Sequence, residues 1–126
     1  MFEYLELEII TYGVGFYKIK VKVIEKNVYY KFQKSNSSHY KNYDKYYKYS
    51  DSQNWLDGLA KLDIENWMYD YSKIIDKKGT QWTLDYKEAN QRCKHIYGDN
   101  AYPDNWNSFI EHINTLHKDI NFEENF

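Results

Sequence analysis

Apolar and charged residues alternate in two segments near the start of the chain. In residues 2–10 leucine and isoleucine alternate with glutamate, and in residues 16–24 isoleucine and valine alternate with lysine. A period of two predicts strands that bury one face. Gly13–Gly15 is expected as a three-residue hairpin loop, with glycine available for the left-handed position that such loops use. That loop would place Glu8 opposite Lys20.

A third apolar alternation covers residues 28–32, so the first part of the chain predicts an antiparallel three-stranded meander. A second hairpin is predicted around residues 80–97, because Trp82, Leu84 and Tyr86 share one face and residues 92–97 can return as the partner strand. Helical spacing then favours a helix over 104–118, with an apolar stripe formed by Trp106, Phe109, Ile110, Ile113 and Leu116.

A shorter helix is predicted over residues 52–62, where Trp55, Leu56 and Leu59 recur at helical spacing. Together these elements predict an α+β fold: an antiparallel sheet, made of the N-terminal meander and the second hairpin, with two helices packed on one face. At 126 residues the chain is expected to form a single domain, 1–126. The acidic residues 119–126 are expected to form a frayed tail.

Composition narrows the class of protein only moderately. The net charge of −2 gives no overall field for nucleic acid or membranes, and the single cysteine cannot form an internal disulfide. Residues 1–10 lack the pattern of a signal peptide, and no segment approaches the ~20 apolar residues that span a bilayer. These features predict a cytoplasmic protein. Fifteen of the residues are tyrosine, which also fits the codon usage of an AT-rich genome.

Three motifs carry a resemblance to a known family: LDIENW at 62–67, GTQWTL at 79–84 and GDNAYPDNW at 98–106. In these motifs the chain resembles a family of small, uncharacterised proteins from low-G+C Gram-positive bacteria and their mobile elements. It departs from the family pattern at Lys78 and in the tyrosine-rich insert at 39–50. In size and composition it is also similar to phage-encoded, anti-CRISPR-like inhibitors of bacterial defence systems. The family resemblance implies no catalytic residues.

Two groups of residues are candidates for chemistry. Cys93 and His95 lie two apart on a predicted strand and share a face, which suits either a nucleophile with its base or half of a metal site. Without a third partner in the sequence pattern, packing is the favoured interpretation, and we predict no metal or cofactor. Asp99 and Asn100 more often shape a turn than a site.

His112 and His117 are five residues apart, so they do not share a helix face as a pair of ligands would, and they are expected to be solvated helix residues. An enzyme built on Cys93 and His95, or on Asp99, is therefore the least favoured hypothesis.

The front half of the chain is basic and the back half acidic, at +4 for residues 1–50 and −6 for the remainder. Tyrosines and lysines are concentrated in residues 29–50. Protein-binding surfaces use tyrosine for contact area with charge around it, although the run could instead be a solvated loop. We therefore predict a non-enzymatic protein-binding module, an inhibitor of a CRISPR-type defence protein or nucleoprotein complex, with this set of contact residues: Tyr29, Lys31, Tyr40, Lys41, Tyr43, Lys45, Tyr46, Tyr47, Lys48 and Tyr49. The alternative is a nucleic-acid-binding protein that uses the same run for base stacking and phosphate contacts.

Overall fold

The computed structural model of the chain describes residues 1–35, 45–72 and 79–122. Its strands are β1 (Phe2–Thr11), β2 (Gly15–Ile24), β3 (Asn27–Lys34), β4 (Tyr47–Lys48), β5 (Asp70–Ser72), β6 (Thr80–Glu88) and β7 (Lys94–Asp99). Its helices are α1 (Ser52–Ala60) and α2 (Trp106–Asn114), with a single 3₁₀ turn at Ile64–Asn66. The α+β fold predicted from the sequence is confirmed.

The strands form one seven-stranded sheet in the order β4-β3-β2-β1-β6-β7-β5. All neighbouring pairs are antiparallel except β5 with β7. β1 lies at the centre and joins the N-terminal meander to the second hairpin. The short strands β4 and β5 were not predicted, because segments of two and three residues are too short to show a period.

Helices α1 and α2 pack on one face of the sheet, as the alternation predicted. On β1, Leu5, Leu7 and Ile9 are fully buried, while the glutamates between them remain partly accessible. Helix α2 buries Trp106 and three other residues of its stripe against this face. Each fully buried aliphatic or aromatic side chain contributes roughly 1.5–3 kcal/mol, so this shared layer is the main source of the fold's stability.

The first hairpin forms in a register different from the one predicted. Glu6 pairs with Lys20 and Glu8 with Lys18, so the lysine strand is shifted by two residues relative to the expected pairing. The loop is Tyr12–Val14 rather than Gly13–Gly15, with the left-handed φ of +76° at its middle residue, Gly13. Thr11 and Gly15 form the last pair of the ladder. The three-residue length and the buried face were nevertheless predicted correctly.

The end of the chain also differs from the prediction. α2 ends at Asn114 instead of continuing to 118. Ile120 and Phe122 are buried, and the backbone of Phe122 exchanges two hydrogen bonds with the Asn114 side chain. The ring of Phe122 stacks on Tyr17 at 4.7 Å. Residues 119–122 are therefore packed and do not form the expected frayed tail, and residues 123–126 lie outside the described residues.

His112 and His117 are not the solvated helix residues that the sequence suggested. The His112 ring stacks on Trp55 at 4.7 Å, and its Nε2 donates to the Trp55 carbonyl at 2.8 Å. Trp55 Nε1 donates in return to the His112 carbonyl. His117 lies beyond α2, with its ring 5.2 Å from that of Phe32. Both imidazole rings are therefore partly removed from solvent by aromatic neighbours, Trp55 on α1 and Phe32 on β3.

Trp82 occupies the centre of the aromatic core. Its ring lies 4.5 Å from Trp106, and its Nε1 donates to the Ala101 carbonyl at 2.9 Å. Gly98 lies directly opposite Trp82 on β7. A Cβ on Gly98 would stand 2.0 Å from Trp82 Nε1, so the indole lies against the strand only because residue 98 has no side chain.

Gly98→Ala is expected to destabilise the protein by about 1–3 kcal/mol, the usual cost of overpacking a core. This loss of stability comes from a clash with the Trp82 indole. It should therefore be smaller in a Trp82→Leu background, where the smaller side chain leaves room for the added methyl group. Denaturant unfolding of the two single variants and the double variant measures this coupling. An equal cost of Gly98→Ala in both backgrounds would contradict the contact.

The His112 contact predicts a pH dependence of stability. Burial lowers the pKa of His112, and the hydrogen bond to Trp55 offsets this only in part. The folded state therefore binds fewer protons than the unfolded state, whose histidine titrates near pH ~6.5. The contribution of the neutral His112 side chain to stability is fully present above that pH and is lost as the pH falls through the folded-state pKa. When the pH is lowered from about 7.5 to about 5, the free energy of unfolding should decrease more for the wild type than for His112→Gln. Parallel losses in the two proteins would refute this assignment.

Candidate functional site

The face of the sheet opposite the helices, called here the open face, carries the candidate residues. It is formed by the side chains that alternate with the core. Both described helices lie on the other side, so these side chains are half-buried or exposed. An antiparallel sheet can leave one face toward water in this way. The open face includes Tyr4, Glu6, Glu8, Lys18, Lys20, Lys22, Tyr29, Lys31, Thr83, Asp85, His95 and Tyr97.

Charge changes sign across the open face from strand to strand. One cross-strand row runs through Lys31, Lys20, Glu6, Asp85 and His95, in the order of the strands. On the open face, lysines occupy β2, β3 and β4, whereas the charged side chains of β1, β6 and β7 are mainly the carboxylates Glu6, Glu8, Asp85 and Asp99, with Lys87 as an exception. The basic side comes from the first half of the sequence, whereas the acidic side combines β1, also from that half, with β6 and β7 from the second half.

Ion pairs mark the boundary between the two sides. Glu6 forms ion pairs with Lys18 at 3.4 Å and with Lys20 at 3.7 Å. A third pair, Lys87 with Glu3 at 2.8 Å, lies between β1 and β6, away from this boundary. These groups are partly exposed, and such pairs contribute little to stability. The two pairs of Glu6 bring lysines of β2 against a carboxylate of β1, where the sign of the surface charge changes.

Tyr46 and the lysines beside it form the basic side of the face, called here the basic patch: Lys20, Lys22, Lys31 and Tyr46. Lys22 Nζ lies 3.8 Å from the centroid of the Tyr46 ring, and Lys31 Nζ lies 4.9 Å from it. Both distances suit cation–π contacts. Partial burial raises the pKa of Tyr46, with Glu6 adding to the effect. The ring is still 36% exposed, so it remains available to a partner.

Tyr47 and Tyr49 are half-buried and pack toward the core, so they lie on the opposite side of β4 from the open face. Tyr47 stacks on Tyr30 at 5.4 Å and contacts the His117 ring at 5.3 Å. Tyr49 packs against the core, and its N–H donates to the Val28 carbonyl. Burial, with these two neighbouring tyrosines, raises the pKa of Tyr30 to about 12. Because side chains alternate along the chain, pairing β4 with β3 turns Tyr47 and Tyr49 inward and leaves Tyr46 and Lys48 on the open face.

The other predicted contact residues have varied positions. Tyr29 lies on β3 between Lys22 and Lys48 and belongs to the open face. Lys45 and Lys48 are exposed next to Tyr46 and Tyr47. Tyr40, Lys41 and Tyr43 lie outside the described residues, and their part in the surface stays a prediction.

Cys93 and His95 share a face, as predicted, and the fold brings two further side chains to them. His95 Nδ1 lies 2.6 Å from Asp85 Oδ1, directly across the β6–β7 hairpin. The Tyr4 hydroxyl lies 3.3 Å from Cys93 Sγ. That hydrogen bond, and then burial, raises the pKa of Tyr4 to about 12. Sequence reasoning missed Asp85 and Tyr4, because the alternation gives the face of each residue but not its cross-strand partner.

Asp99 and Asn100 contribute to the architecture at the end of β7. The Asn100 side-chain carbonyl accepts from the backbone N–H of Thr80, and the Asn100 N–H donates to the Thr80 carbonyl. Asn100 therefore ties the start of β6 to the end of β7 with a left-handed φ of +57°. Asp99 pairs with Gln81 on the open face, far along the strand from Cys93.

Among the described residues, the helices are too short or too polar to cross a bilayer. Comparisons of the chain with protein-family models, with curated proteins and with solved structures give no match. The functional argument therefore depends on the geometry of the open face.

Proposed function

We propose that the chain is a non-enzymatic protein-binding module, and that the basic patch docks on an acidic surface of a partner protein. The observation that carries this proposal is the exposed Tyr46 ring with two lysine ammonium groups over it, on a sheet face that neither described helix covers. Tyrosine provides a large and fairly rigid contact area, and the flanking lysines supply the charge that selects an acidic partner.

The change of sign across the open face supports a defined orientation of the partner. A partner with acidic residues over the basic patch and basic residues over the acidic side would be complementary to the face in one orientation only. Complementary potentials of this kind raise association rates and exclude wrong orientations. The face can therefore discriminate between partners without a deep pocket.

Inhibition of a bacterial defence protein is the role we propose for this binding. An inhibitor that acts by occupying a surface needs complementarity and no catalytic centre, which agrees with a flat charged sheet. The similarity in size and composition to phage-encoded, anti-CRISPR-like inhibitors motivates the choice of target. On this proposal the partner is a CRISPR-type protein or its nucleoprotein complex, and the chain acts in the cytoplasm.

Nucleic-acid binding is the second candidate, because lysines interleaved with an aromatic ring also suit single strands. Two observations make it second. Lys22 lies over the Tyr46 ring at 3.8 Å, so a base would have to displace it in order to stack on that side. Glu6 lies between Lys18 and Lys20 and would repel phosphates from the nearest part of the patch.

Charge reversal in the basic patch tests the proposal. The double variant Lys22→Glu/Lys31→Glu should reduce capture of the partner about tenfold or more, because it places like charges against an acidic surface. Tagged protein is used to capture the partner from nuclease-treated lysate, and affinity is then measured with the purified partner. Lys61→Glu/Lys118→Glu, which changes two exposed lysines away from the open face, is the matched control.

Tyr46→Ser should also weaken binding by about tenfold or more, as loss of an aromatic anchor usually does. Tyr47→Ser is unsuitable as a test, because Tyr47 packs against Tyr30. Unchanged affinity in both the charge-reversal and the Tyr46 variants would show that the patch is not the contact surface. Equal losses in the control variant would refute a specific patch.

The nucleic-acid alternative makes a different prediction. If the basic patch binds phosphates, affinity for a single-stranded oligothymidine should fall by about tenfold or more when salt is raised from about 50 to about 200 mM. We expect weak binding with little specificity on this probe. Tight and strongly salt-dependent binding that Lys22→Glu/Lys31→Glu abolishes would replace the protein-binding proposal.

A further inference from the structure

Three potential metal ligands meet on the acidic side of the open face. Asp85, Cys93 and His95 each offer a ligand atom, and these atoms all lie within 4.8 Å of one another. Asp85 on β6 and His95 on β7 are direct cross-strand partners, and Cys93 comes immediately before β7. The cluster is separate from the basic patch, and it stands independently of the protein-binding role.

We propose that Asp85, Cys93 and His95 form a Zn²⁺ site in which the fourth position is open to water. A thiolate with an imidazole and a carboxylate is the donor set that Zn²⁺ accepts, and the sulfur and nitrogen ligands disfavour Mg²⁺ and Ca²⁺. Many zinc sites have three protein ligands and a water molecule as the fourth ligand.

The three ligand atoms lie within 4.8 Å of one another, so they reach tetrahedral spacing around Zn²⁺ after shifts of about 1 Å. Zn–S and Zn–N bond lengths place tetrahedral ligands about 3.3–3.6 Å apart. The His95 Nδ1–Asp85 Oδ1 separation of 2.6 Å is a hydrogen bond, so it must lengthen by less than about 1 Å as the ion takes the place of the shared proton. The His95 side chain is 74% exposed and that of Asp85 37% exposed, and both are free enough to make this change.

Binding of Zn²⁺ changes the protonation of Cys93 and fixes the tautomer of His95. Zn²⁺ binds the Cys93 thiolate, and the thiol proton is released to solvent. When His95 Nδ1 binds the ion, the neutral imidazole carries its proton on Nε2, which faces water on this exposed ring. Zn²⁺ affinity should therefore rise as the pH is raised, because binding releases a proton.

Tyr4 has a positioning role in this arrangement. Its hydroxyl lies 3.3 Å from Cys93 Sγ and can donate to the thiolate once the thiol proton has left. Outer hydrogen bonds of this kind orient a ligand, and their loss commonly weakens metal affinity about 10–100-fold. The hydroxyl comes from β1, so the site joins the central strand to the β6–β7 hairpin.

The location favours an ion over a substrate. Acyl transfer by a cysteine needs a cleft that holds the substrate and donors for the developing oxyanion. Cys93 lines a small cavity of about 260 Å³, but Asp85 and His95 do not line it, and His95 is three-quarters exposed. This cavity therefore does not bring a base to the thiol.

Co²⁺ binding to the full chain is the direct test, because a bound thiolate gives a sulfur-to-cobalt charge-transfer absorption in the near ultraviolet. The wild type should show this band at one equivalent of Co²⁺, and Zn²⁺ should bleach it. Cys93→Ser should abolish the band, and His95→Gln and Asp85→Asn should each weaken Zn²⁺ binding by more than about 100-fold. Asp99→Asn, a carboxylate on the same face and on β7, is the matched control and should bind as the wild type.

Tyr4→Phe separates positioning from ligation: the band should persist while the affinity falls about tenfold. Circular dichroism establishes that each variant is folded before titration. Absence of the band in folded wild type, or its persistence in Cys93→Ser, would overturn the site. Equal affinities of Asp85→Asn and the wild type would remove the carboxylate from it and overturn the three-ligand arrangement.

Discussion

The pairing of β1 with its two neighbours is the constraint on which the rest of the structure depends. β1 pairs with β2 over eight residue pairs and with β6 on its other edge. Its residues Leu5, Leu7 and Ile9 all point into the core. Because side chains alternate, a shift of one residue in either ladder would exchange the core with the surface. Hydrophobic burial therefore fixes the face of every residue on the central strands.

The helices pack on the apolar face of these central strands. Trp82 lies flush against Gly98 and contacts Trp106, so β6, β7 and α2 form one aromatic layer. Trp55 and His112 join α1 to the same layer through stacking and two hydrogen bonds. With both helices on one side, the polar residues of the long strands are collected on the other. The basic patch and the Cys93 cluster are consequences of the same alternation, and they differ only in which strands supply them.

The sequence predicted the elements that bury an amphipathic face and failed where a local pattern is short. Alternation over nine or ten residues identified β1 and β2, but it leaves any even shift of register open, and the turn at Gly13 decided between them. The tyrosines of the 39–50 run stand at both odd and even positions, so their pattern does not mark one face of a strand. Only the pairing of β4 with β3 shows that Tyr47 turns inward while Tyr46 faces out. The proximity of Asp85 to His95 needed the exact hairpin register, which no residue pattern within either strand supplies.

The central claim is that one face of this sheet carries the chemistry because it is not covered. A soluble gadolinium chelate, which broadens the NMR signals of accessible groups, tests it on adjacent residues of β6. The Thr83 methyl should broaden strongly, while the methyls of Leu84, which is fully buried, should be protected. Equal protection of the two residues would show that another layer covers the open face and would contradict the account.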